Sequence, residues 1–269
     1  MGWDAPGGGQ PLRAVPQQRI VEKLDEYMGR RDYAGAERHL RYWLEEALDA
    51  GDRRGELMVR NELIGHFRKT GNREQALAHV DAALQLLDEL DFGRTISAGT
   101  TYTNAATACN AFGQNERSLA LFHKAAELYE GNPGTEPRLL GGLYNNMALT
   151  CIALKRFDEA DALYGKALSV MADVENGELE QAITYLNMAD AAVARAQAET
   201  GGSADSPECE REIEGLLDRA LALLDTPSVP RDGYYAFVCD KCAPVFGHYG
   251  YFLADADLRK RAEAIYERA

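Results

Sequence analysis

The chain has 269 residues, 46% of them hydrophobic and 27% charged, a composition that supports a sizeable core and rules out fibrous and disordered classes. No apolar run approaches the roughly 20 residues of a bilayer crossing, and five cysteines, sparse and odd in number, fit reduced thiols better than a disulfide framework. Twenty-nine basic against 43 acidic side chains leave a net charge of −14, which repels phosphate backbones and anionic lipid; nucleic acid and membrane are poor partners, and a cytoplasmic location is expected.

Residues 1–18, with three consecutive Gly and three Pro, are expected to form a flexible tail, and Pro6 stands where a myristoylation signal favours Ser or Thr. Six helix pairs follow, near 19–52, 57–92, 99–131, 141–175, 182–226 and 234–269. The first is weak, with Leu24 and Tyr27 leading to Ala36, Leu40, Trp43 and Leu44. In the second, Leu63, Ile64 and Phe67 precede Gly71 and the set Ala76, Val80, Ala83, Leu84. The third opens on Tyr102-Thr-Asn104-Ala-Ala106 and continues with Ser118, Phe122, Ala125 and Ala126. The fourth repeats this as Tyr144, Asn146 and Ala148, then Ala160, Tyr164, Ala167 and Leu168. The fifth starts at Tyr185, Asn187 and Ala189, is interrupted by an inserted loop at 198–209, and resumes with Ile213, Leu217, Ala220 and Leu221. The last is atypical, with Gly250, Ala262 and Tyr266 in phase. Apolar positions at i, i+4, i+7 and i+8 make one face of a helix, and the small residues among them let a neighbouring helix approach.

The Tyr-x-Asn-x-Ala pattern recurs at spacings of 42 and 41 residues. The stretch Leu143 to Met171, LYNNMALTCIALKRFDEADALYGKALSVM, resembles a tetratricopeptide repeat, lengthened from the usual 34 residues as in kinesin light chains. The resemblance implies an all-α protein, an α-solenoid winding as a right-handed superhelix of about six hairpins in one domain over 19–269. Departures are visible. Tyr102, Tyr144 and Tyr185 replace the first signature Trp, Arg60 stands there in the second unit, and Cys109 and Cys151 occupy a place where the family prefers Tyr. The closing Pro is missing from most units, so other residues must stop those helices.

Signatures of serine hydrolases, P-loop enzymes, zinc proteases and dinucleotide binders are missing from the sequence, so no catalysis, cofactor or metal is expected. Cys239-Asp-Lys-Cys242 has the spacing of half a zinc site, but Cys209 and His248, the nearest further ligands, lack finger spacing; two thiols packed between helices explain the pair as well. His39, His66, His79, His123 and His248 are scattered, and Glu45-Glu46 and Asp88-Glu89 lie on polar helix phases.

Asn104, Asn146 and Asn187 carry the functional signal. On a tetratricopeptide superhelix the first helices line the concave surface, and the resemblance implies that these amides contact the backbone of a bound peptide. An amide offers one acceptor and two donors, enough to engage both the C=O and the N–H of an extended chain. Thr103, Thr107, Asn110, Asn145 and Asp190 lie on or near that face and join them as peptide-binding candidates. The same amides can instead bridge neighbouring helices, and both roles stay open. Residues 1–94 carry 14 basic and 17 acidic side chains, so most of the negative charge falls on the Asn-bearing units and beyond, favouring a neutral or basic peptide. The function expected is a protein- or peptide-binding adaptor or scaffold; a peptide-sensing regulator acting through another protein, or a self-associating homo-oligomer, are the alternatives.

Overall fold

The structure is a computed structural model that describes residues 13–90, 94–202 and 206–268. Among the described residues it contains twelve α-helices and no strand. They pair as hairpins: α1 (Gln17–Gly29) with α2 (Tyr33–Asp49), α3 (Arg53–Lys69) with α4 (Arg73–Glu89), and α5 (Ile96–Ala111) with α6 (Asn115–Glu130). Then come α7 (Pro137–Ala153) with α8 (Phe157–Ala172), α9 (Glu178–Thr200) with α10 (Pro207–Leu224), and α11 (Gly233–His248) with α12 (Phe252–Tyr266). These are the six predicted helix pairs.

The helix stops that the missing prolines left open come from left-handed turn residues. Gly51, Gly71, Gly113 and Gly250 have φ between +64° and +84°, and Arg31 and Lys155 adopt the same conformation without being glycine. The next helix is started by a side chain that caps its free N–H groups: Asp32 accepts from Gly35, Asp52 from Gly55 and Asn72 from Gln75. Thr95, Ser206 and Asp232 do the same for α5, α10 and α11. Pro244 lies inside α11, where it removes a helical N–H donor and sets the last hairpin apart from the others.

Apolar faces meet as the periodicity requires. Ala76, Val80 and Ala83 of α4, Phe122 and Ala125 of α6, and Ala160, Tyr164 and Ala167 of α8 are buried. The recurrent tyrosines are clamped from the partner helix by a cation over each ring: Lys124 lies 5.3 Å from the Tyr102 centroid, Lys166 5.0 Å from Tyr144, and Arg219 5.9 Å from Tyr185. Cys109 and Cys151 are core residues, and so are Cys239 and Cys242, whose thiols are pushed up by burial, that of Cys242 to about 12. A thiol held protonated at neutral pH is a poor nucleophile, as befits a side chain packed between helices.

The chain gathers into two compact units, Met1–Thr135 and Glu136–Ala269. Each has its own clusters of buried side chains, one around Ile20, Leu40, Leu63 and Phe67 and another around Leu186, Leu217, Tyr235 and Phe246. The inserted loop is shorter than 198–209, because α9 runs to Thr200 and α10 starts at Pro207. The tail expected over 1–18 also ends sooner. Residues 1–12 lie outside the described residues, but Val15 is buried, and its N–H donates to Asp52 Oδ2 at 2.9 Å.

Asp52 therefore does two things at once, since its other oxygen accepts from Gly55 N–H at 3.0 Å. Asp52→Ala removes a cap worth about 1 kcal/mol and leaves the Val15 N–H without its acceptor at a further cost of about 1–2 kcal/mol. Urea unfolding should show a combined loss of about 2–3 kcal/mol, with Asp52→Asn, which keeps one acceptor, falling between the two proteins.

Candidate peptide-binding surfaces

In the first unit, the Asn61 amide carries the hydrogen bonds between the first helices α3 and α5. Asn61 of α3 is buried; its Nδ2 donates to Leu57 O at 3.0 Å and to Thr101 Oγ1 of α5 at 2.9 Å. Its Oδ1 accepts from Asn104 Nδ2 at 3.2 Å. Asn104 is thus tied to the preceding hairpin through one of its donors, while its carbonyl has no partner among the described residues. Thr103 and Thr107 spend their hydroxyl protons on their own helix, on Gly99 O at 2.9 Å and Thr103 O at 2.8 Å. Asn110 is half-buried near the end of α5, and its amide has no hydrogen-bond partner among the described residues.

The second unit repeats the bridge: Asn187 Nδ2 of α9 donates to Asn145 Oδ1 of α7 at 3.1 Å. Asp190, exposed one turn further along α9, accepts from Tyr249 OH at 2.7 Å. Beside the bridge lies a recess of about 520 Å³, whose floor is α7 with Gly141, Gly142, Asn145 and Asn146 and whose walls carry Ile183 of α9 and Tyr234 of α11. Asn146 is half-buried, and its amide makes no hydrogen bond among the described residues. Of the predicted site residues, this recess brings together Asn145 and Asn146; Asn187 is bonded to Asn145, and neither it nor Asp190 is part of the lining.

The charges gathered in the recess differ in balance from those of the chain as a whole. Arg138 and Lys241 stand on its walls against one carboxylate, Glu180, so the local balance is positive although the chain as a whole is acidic. Arg138 pairs with Glu180 Oε1 and reaches Glu175 O at 2.6 Å with its other nitrogen. Tyr234 OH donates to the same Glu180 oxygen at 3.1 Å. Burial, and then the Glu180 charge, push the Tyr234 hydroxyl up to about 12, so it remains a donor throughout the physiological range. Glu180 Oε2 is buried without a partner among the described residues. Lys241 is exposed and has no ion-pair partner among them.

Sequence reasoning missed Asn61, Arg138, Glu180 and Lys241. The signal for the first three was present: positions 61, 103, 145 and 187, and likewise 138 and 180, are separated by 42 residues, one full repeat. A pairing one repeat apart places side chains on facing turns of successive first helices. The Tyr-x-Asn pattern puts Asn104 and Asn146 one residue past this register and only Asn187 in it, so Asn61 did not stand out.

No family model and no curated protein matches the sequence. Solved structures do. A putative kinesin light chain of Podosopora anserina with nearly identical TPR-like repeats is 15% identical over 79% of this chain and 95% of its own, at a TM-score of 0.50. The Q17M form of that protein gives 16% identity, 79% and 97% coverage and a TM-score of 0.53. BtubC (BKLC) from P. vanneervenii is 17% identical over 95% of this chain and 92% of its own, with a TM-score of 0.48. At such identities the first two establish the fold and nothing finer. With six helical hairpins, a 42-residue period and these neighbours, the chain is an all-α protein of tetratricopeptide-like repeats of the solenoid class.

Proposed function

We propose that the second unit holds an extended segment of a partner protein in the recess of α7, α9 and α11, and that the chain works as a non-catalytic binding adaptor or scaffold. The observation that carries this reading is the unpaired amide of Asn146 on the recess floor, beside two glycines. At Gly142 an added Cβ would meet nothing within 4 Å, so the open space comes down to the backbone of α7 and a guest main chain can approach closely. Asn146 then offers a donor and an acceptor to one peptide unit. Asn145, Asn187 and Asn104 serve mainly as bridges that hold the first helices in register, with Thr103, Thr107, Asn110 and Asp190 contributing polar surface. Lys241 adds a charge that favours an acidic side chain on the guest, so the preference follows the local balance and not the net charge of the chain.

Decapeptides selected from a random library on the parent protein provide the test. Asn146→Ala should weaken their binding about tenfold, the equivalent of about 1.4 kcal/mol for two hydrogen bonds, with the thermal midpoint unchanged. Asn187→Ala, which breaks the bridge, should lower the midpoint as well. Peptides that bind Asn146→Ala as tightly as the parent would refute the assignment.

A further inference from the structure

Helices α1 and α2 of the first hairpin present a cluster of rings that the peptide-binding recess does not explain. A recess of about 690 Å³ is lined by Tyr27 of α1 and His39, Tyr42 and Trp43 of α2, with Arg19, Glu22, Lys23 and Glu26 at its rim. The rings touch in sequence: Tyr27 to His39 at 5.8 Å, His39 to Trp43 at 6.5 Å and 78°, and Trp43 to Tyr42 at 5.1 Å and 76°. The His39 Nε2–H donates to Ile20 O at 3.0 Å, which fixes its ring between the two helices. Tyr42 is 52% exposed.

One ring of this cluster already carries a cation. Lys23 Nζ lies 5.4 Å from the Tyr27 centroid, held by Glu26 Oε2 at 2.5 Å. No cationic side chain of the described residues stands over Tyr42 or Trp43, whose edge-to-face arrangement forms a corner with electron-rich faces. At the rim, Glu22 is occupied only by the neutral amide of Gln18 at 2.9 Å, and Arg19 makes no ion pair among the described residues. The four rim charges cancel, so the ring faces decide what the corner prefers.

We propose that this corner is a receptor for an organic cation, the ammonium or guanidinium head of a basic side chain on a partner protein, seated between Tyr42 and Trp43 with Glu22 beside it. The site is independent of the recess in the second unit, and either assignment can fail without the other.

The experiment uses the full chain carrying Trp3→Phe, so that Trp43 is the remaining indole and its emission reports the corner. N-acetyl-trimethyllysine amide is titrated against the neutral N-acetyl-norleucine amide. The expected result is a saturable change with the cation, at least fivefold tighter than any change with the neutral probe and weakened by salt. Arg19→Gln should tighten binding about threefold and Glu22→Gln weaken it about threefold, while Tyr42→Ala abolishes the preference for charge. Equal response to both probes, no response to either, or a signal that depends on protein concentration because a second copy fills the recess would each overturn the proposal. Unchanged thermal midpoints for Arg19→Gln and Glu22→Gln separate lost recognition from lost folding.

Discussion

Acidifying the protein from pH 6.5 to 4 should remove about 3 kcal/mol of stability through His79 alone. This side chain is 7% exposed, stacks on Phe67 with ring centroids 5.6 Å apart at 7°, and offers its Nδ1 to Arg60 Nη1 at 3.2 Å. Burial, followed by the Arg60 and Arg41 charges, lowers its titration from 6.5 to about 4. The fold therefore holds imidazole neutral, with Nδ1 as acceptor, whereas the unfolded chain takes up a proton below 6.5. The sign follows: the contribution is complete above pH 6.5 and is lost as the pH falls towards about 4, the difference corresponding to about 3 kcal/mol. His79→Gln keeps an acceptor for Arg60 but does not titrate, so urea unfolding between pH 7 and 4 should show a shallower slope for the variant. Parallel slopes would mean that acid stability is governed elsewhere.

Gly99→Ala should cost about 2–3 kcal/mol, and Gly141→Ala, one repeat later, about 1 kcal/mol or less. A Cβ on Gly99 would sit 2.4 Å from Tyr129 Cε1. That ring is 2% exposed and anchored by a 2.9 Å hydrogen bond between its hydroxyl and Thr100 Oγ1, so it cannot retreat. A Cβ on Gly141 would meet Met171 Cε at 2.8 Å, the far end of a flexible side chain that can rotate away. Equal losses at the two sites would show that the surrounding helices, not the facing side chain, absorb the added methyl group.

The two glycines also show how the sequence is informative at different depths. Their 42-residue separation belongs to the repeat, and a period is legible without coordinates because each hairpin must bury the same face on its neighbour. The helix pairs, the buried Ser-Phe-Ala and Ala-Tyr-Ala sets and the core placement of Cys109 and Cys151 followed from that requirement. The turns were legible only in part: Gly51, Gly71 and Gly113 are recognisable stops, but nothing in their side chains marks Arg31 and Lys155 for a left-handed conformation.

The site divides in the same way. Periodicity determined which helices present asparagine, because a residue repeated at one phase must recur on equivalent helix faces. It did not determine which amides are spent on each other. Asn104 and Asn187 are bound to Asn61 and Asn145 while Asn146 is not, an outcome set by differences of one residue in register between facing helices. Nor did it locate Lys241 and Arg138, since charge counted along a chain says little about charge gathered across three helices. Composition and period are properties of the chain read in order, so they fixed the repeat and its apolar faces; hydrogen bonds and local charge depend on side chains distant in sequence, and only packing brings those within reach.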